Sequence, residues 1–77
     1  MITYQDGTEM QVGDSVLVEH ETVPGTITEI IESASRQKEC NVDEAGVMIK
    51  SPPFGLLFLP VSTFAHDPIV LVHRSEA

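Results

Sequence analysis

Six turn signals recur at short intervals along the chain: Asp6-Gly7, Gly13-Asp14, Pro24-Gly25, Ala45-Gly46, Ser51-Pro52-Pro53 and Asp67-Pro68. Between them lie runs rich in β-branched residues, the pattern of short strands joined by hairpins. The spacing predicts strands over Ile2 to Tyr4, Ser15 to His20, Gly25 to Glu32, Gly46 to Lys50, Gly55 to Val61 and Ile69 to His73. Five to six short antiparallel strands in 77 residues lead to an all-β fold, a small, partly open barrel. Alternation places Val16 and Val18 on one face of their strand, and Val47 and Ile49 on one face of theirs, as inward pairs.

One segment carries two periods. Ile27, Ile30, Ile31 and Ala34 stand at helical spacing, and Thr26 with Glu29 has the form of a capping box, so a helix from Thr26 to Glu39 competes with a strand. The β-branched run after Pro24-Gly25 favours a strand through Ile31, and the parity break between Ile27 and Ile30 then requires a bulge or a sharp bend. The polar stretch from Glu32 to Glu44 reads as a long loop where specificity can reside.

The length allows a single domain, residues 1–77, with one core and little apolar area to line a deep cleft, so a non-enzymatic role is expected. No apolar run approaches the roughly 20 residues that span a bilayer. The opening Met-Ile-Thr-Tyr-Gln-Asp lacks the basic and apolar regions of a secretory signal, and a lone Cys40 suits a reducing compartment, so a cytoplasmic location is expected.

Twelve carboxylates against four Lys or Arg set the formal net charge at -8. Seven of the acids, Asp6, Glu9, Asp14, Glu19, Glu21, Glu29 and Glu32, precede the first basic residue, Arg36. Such a surface repels phosphates, which argues against direct binding of nucleic acid or anionic lipid and favours a basic protein partner. If Ser15 to Glu32 forms a hairpin, Glu19, Glu21 and Glu29 fall on neighbouring outward positions and, with Glu32, make an acidic face for that partner. The run Gly55-Leu56-Leu57-Phe58-Leu59-Pro60-Val61 is apolar on both parities. Either Leu56 and Phe58, or else Leu57 and Leu59, is expected to meet another chain, as in a homodimer or a larger complex, with Pro60 marking an edge or a strand end.

His20, His66, His73 and Cys40 have the chemistry of metal ligands, but no spacing matches a metal signature, so neither metal nor cofactor is expected. Cys40 has no base at fixed geometry and reads as an incidental thiol, and His66-Asp67 before Pro68 reads as a turn. The glycines stand singly at 7, 13, 25, 46 and 55, where turns are expected, rather than as a phosphate-binding loop.

Tyr4-Gln5-Asp6-Gly7, Val12-Gly13-Asp14-Ser15-Val16, Gly25-Thr26-Ile27, Gly46-Val47-Met48-Ile49, Phe54-Gly55-Leu56 and Leu71-Val72-His73-Arg74 together resemble a group of small bacterial proteins with an SH3-like barrel. Some of these look like immunity proteins encoded beside polymorphic secreted toxins. The likeness covers most of the chain apart from Glu32 to Glu44, which lacks the aromatic and proline residues of those relatives. It departs again at Leu57-Phe58-Leu59, which stands in place of a more polar strand. What the resemblance implies is an SH3-like barrel that binds a toxin domain directly, and no site residue transfers with it.

Overall fold

The computed structural model describes residues 2–52 and 55–74. Five strands form one antiparallel sheet: β1 (Ser15–Val18), β2 (Val23–Ile31), β3 (Gly46–Ser51), β4 (Gly55–Pro60) and β5 (Val70–His73). A short helix, α1 (Ala34–Glu39), joins β2 to β3, and a 3-10 turn (Val61–Thr63) precedes β5. The strand order is β4-β3-β2-β1-β5, and among the described residues no pairing joins β4 to β5. The sheet is therefore open along that seam, which makes the fold the small, all-β, partly open barrel that the strand spacing leads one to expect. Among the described residues no helix is long and apolar enough to cross a membrane.

Cross-strand register decides which side chains enter the core. Val16 and Val18 of β1 and Val47 and Ile49 of β3 point inward and are buried with Ile27, as alternation predicts. Ile2, Tyr4, Met10 and Ile69 complete the core from outside the five strands. Residues Ile2 to Tyr4 form no strand; Thr3 makes a single bridge to Glu9, closing a narrow N-terminal hairpin.

β2 resolves the two-period segment. Ile27 pairs with Ile49 and Glu29 with Met48, so Thr28 is an extra residue in the ladder. This bulge puts Ile27 and Ile30 on the core side, the latter opposite Val47, and sends Ile31 to the outer face opposite Gly46. Ile31 is fully buried there yet is not part of the central cluster. The competing helix is confined to Ala34–Glu39. Its cap is Ser33, whose hydroxyl accepts the Arg36 N–H at 3.1 Å, rather than Thr26.

Two expected turn glycines lie inside strands. Gly25 pairs with Val16 in β2, and a Cβ there would come within 2.5 Å of Ile49 Cγ2. Gly46 opens β3, where a Cβ would meet Leu59 O at 2.4 Å and the Phe58 ring at 2.7 Å. Close packing, not turn geometry, calls for glycine at both positions. Pro53 and Phe54 lie outside the described residues, so the turn expected at Ser51-Pro52-Pro53 and the Phe54-Gly55 likeness do so in part.

One buried carboxylate ties the N-terminal hairpin to the start of β1 and the end of β5. Asp14, 1 % exposed, accepts the Tyr4 hydroxyl at 2.5 Å and the Gln11 N–H at 3.0 Å. Arg74 adds Nε at 3.1 Å and a second guanidinium nitrogen at 3.2 Å, while also donating to Glu9 O at 2.8 Å. Burial acts to raise the Asp14 pKa, and the hydrogen bonds from Arg74, Tyr4 and Gln11 outweigh it, leaving the carboxyl below its ordinary value. Tyr4 shifts the other way, upward, through burial and then the facing Asp14 charge.

Asp14→Asn is expected to lower the unfolding free energy by about 3 kcal/mol in urea titration, because it withdraws the charge that three donors surround. A carboxyl whose pKa is depressed in the folded state stabilises fully above its unfolded value and loses that contribution as pH falls through the folded one. Stability of the native chain should therefore decline below about pH 4, and the Asp14→Asn chain should show a flatter acid limb.

Candidate binding site

The β1–β2 connection is the most constrained surface element of the barrel. β1 ends at Val18, paired with Val23, not at His20, so Glu19, His20, Glu21 and Thr22 form the turn. Glu19, His20 and Glu21 all have left-handed backbone, with φ of 55°, 59° and 64°. Each such non-glycine residue costs roughly 1–2 kcal/mol, and the turn carries three in succession. Local hydrogen bonds offset part of this: Thr22 N–H donates to Val18 O at 3.1 Å, and the Thr22 hydroxyl donates to Glu19 O at 2.5 Å.

A distant residue completes the turn. The His20 N–H donates to Asp67 Oδ1 at 2.7 Å, and His20 Nδ1 lies 3.8 Å from the same oxygen. Asp67 sits in the segment between the 3-10 turn and β5, where its own N–H donates to Thr63 O at 2.9 Å. Glu19 and Thr22 then border a cavity of about 400 Å³ whose other walls are Val23 and Leu57. The result is a notch with Val23 and Leu57 as apolar walls and the Glu19 carboxylate beside them, a shape suited to a long cationic side chain whose methylenes lie on Val23 and Leu57.

The four carboxylates expected to share a face do not share one. Glu19 and Glu21 stand together in the turn. Glu29 lies six residues beyond Val23 along β2, about 20 Å away at the strand rise. Its carboxylate is gripped by the Arg36 guanidinium, through Nε to Oε2 and a second nitrogen to Oε1 at 2.8 Å, which holds its pKa below the ordinary range. Glu32 follows the end of β2, where its carbonyl accepts the Gln37 side-chain amide at 3.1 Å. The expectation failed because β1 is shorter than its apolar pattern suggests, which moves Glu19 and Glu21 from strand to turn, and because α1 returns Arg36 to β2.

On β4, the open choice between the two apolar pairs is settled by register. Leu57 faces Ile49 and Leu59 faces Val47, both core positions, whereas Leu56 faces Lys50 and Phe58 faces Met48 on the outer side. Leu56 is 62 % exposed, and Phe58 is half-buried with its ring over Gly46. Pro60 ends the strand.

The remaining chemistry-bearing residues are dispersed. Among the described residues, no three His, Cys, Asp or Glu side chains gather as a metal site. His20 is in the β1–β2 turn, His66 follows the 3-10 turn, His73 ends β5 and Cys40 caps α1. Asp67 is the participant that the sequence reading passed over, since an Asp before Pro signals a turn but says nothing of a partner 47 residues away. In comparisons with protein-family models, curated proteins and solved structures, the chain matches none.

Replacing Asp67 with Ala removes the acceptor of the His20 N–H. Hydrogen exchange at that amide should accelerate markedly, with a loss of about 1 kcal/mol in overall stability, and Asp67→Asn should recover most of both.

Proposed function

We propose that this protein is a non-enzymatic, acidic binding module that neutralises a basic protein domain by direct contact, in the manner of an immunity protein acting on its cognate toxin in the cytoplasm. The observation that carries this reading is the β1–β2 turn: Glu19 and Glu21 in left-handed backbone, the His20 N–H between them held by Asp67, and Glu19 bordering the notch over Val23 and Leu57. A Lys or Arg of the partner enters with its stem on the apolar walls and its charge against Glu19 and Glu21. Toxins that attack nucleic acid hold their substrate in cationic clefts, and carboxylates presented there compete with phosphate without chemistry on either side.

Glu29 drops out of the contact set, since Arg36 already occupies it. Glu32 and the segment through Glu44 lie at the other end of the β2–β3 pair and act as a second, separate contact that sets specificity. The wider charge supports the same partner. Both arginines are paired, with Glu29 and with Asp14, so the field around the barrel is dominated by carboxylates.

The test is stopped-flow association with a purified basic toxin domain encoded beside this chain. The double substitution Glu19→Gln and Glu21→Gln should slow association at least tenfold at low salt and reduce its salt sensitivity, while Glu29→Gln should leave the rate within about twofold. An association rate indifferent to salt between 20 mM and 500 mM would remove the electrostatic basis of the proposal.

A further inference from the structure

The notch beside Glu19 is also the inner flank of a sheet edge. Its Leu57 wall belongs to β4, and among the described residues no strand pairs with the other side of β4. All six residues of β4 pair with β3 in unbroken register, from Ser51 with Gly55 to Gly46 with Pro60, and none of the six is charged. A regular, uncharged edge is a template for a further strand. β5, at the other end of the sheet, differs: it is four residues long, and its register with β1 shifts between Ser15 and Val16.

Resting on the cation-binding reading of the Glu19 notch, we propose that β4 receives an extended, basic segment of the protein partner as a sixth strand, with a Lys or Arg opposite Leu57. Residues opposite one another on paired strands project to the same face. A side chain opposite Leu57 therefore projects to the face of Leu57, where Val23 and Glu19 complete the notch. A single docking event pairs the free backbone groups of β4 and places a cation beside a carboxylate.

The charges around the edge fix the register. Glu19 lies by Leu57 on the inner side, and Glu44 accepts the Ser62 hydroxyl just beyond the end of β4. On the outer side the cation Lys50 stands opposite the exposed Leu56. A basic residue is therefore favoured opposite Leu57 and disfavoured opposite Leu56, where an apolar side chain covers the leucine instead. The recognised segment thus reads apolar, basic, apolar at the positions opposite Leu56, Leu57 and Phe58. Pro60, which has no N–H, ends the pairing at Leu59. The net charge of -8, which opposes a second copy of this chain at the edge, attracts such a segment.

The test uses the full chain, isotopically labelled, and the capped peptide Thr-Val-Lys-Val-Thr, titrated to about 5 mM with amide chemical shifts as the readout. The expected shifts gather at Leu56–Leu59 and at Glu19–Thr22. Of two versions N-methylated on alternate residues, one turns its methyl groups toward β4 and should bind at least tenfold more weakly, whereas the other should stay within twofold. Norleucine in place of the peptide Lys should weaken binding at least threefold in the native chain and less than twofold in Glu19→Gln. Lys discrimination without the N-methyl asymmetry overturns the added strand and leaves the notch reading in place. The N-methyl asymmetry without Lys discrimination overturns the notch reading, and with it the register assigned to the strand. Absence of any shift at β4 overturns the proposal outright.

Discussion

The ion pair of Asp14 with Arg74 ties the N-terminal hairpin and the segment leading to β1 to the end of β5. Tyr4 comes from the N-terminal hairpin, the Gln11 N–H from the segment leading to β1, Glu9 O from the far arm of that hairpin and Arg74 from beyond β5. A barrel left open between β4 and β5 needs another device to keep its N-terminal flap over the core. Here Ile2, Tyr4 and Met10 are core residues carried by a segment with a single β-bridge. Their burial depends on the ion pair at their base, because among the described residues the backbone hydrogen bonds of the hairpin, Tyr4 N–H to Thr8 O and Met10 N–H to Ile2 O, run within it and not to the sheet. The same pair matches the charge of one of the two arginines.

The bulge at Thr28 has an equally wide effect. By adding one residue to β2 it lets the strand bury Ile27 and Ile30 on one side and Ile31 on the other, and it bends the sheet toward closure. It also orients Glu29 outward beside Met48, within reach of Arg36 from the short helix that follows. A helix of six residues with no buried side chain cannot persist by its own propensity. The Ser33 cap and the Arg36 fork are what hold it, so the carboxylate expected at a binding face is instead part of the fold.

Charge is consequently distributed by structure in a way that composition does not reveal. Carboxylates gather at the hairpin tip, while the outer face of β4 is neutral and apolar. Both are small, in keeping with a domain that has one core and no room for a deep cleft.

Much of the architecture was legible along the chain because it rests on local rules. Alternation identified Val16, Val18, Val47 and Ile49 as inward, turn residues spaced the strands, and the clash of periods at Ile27 and Ile30 announced a bulge. The sites were less legible. Left-handed backbone at Glu19, His20 and Glu21 carries no glycine or asparagine to advertise it, and Gly25 and Gly46 look like turn residues although neighbouring strands demand them.

Amino-acid order alone thus settles the class of fold and the inward faces of β1 and β3, which depend on neighbours two to four residues apart, and the overall sign of the charge, which depends on composition. Which carboxylates are already matched is decided by contacts spanning seven to sixty residues, Glu29 with Arg36 and Asp14 with Arg74. Such pairings have no signature in local spacing. They exist because folding brings a guanidinium and a carboxylate together, and a charge so matched is no longer free to act elsewhere.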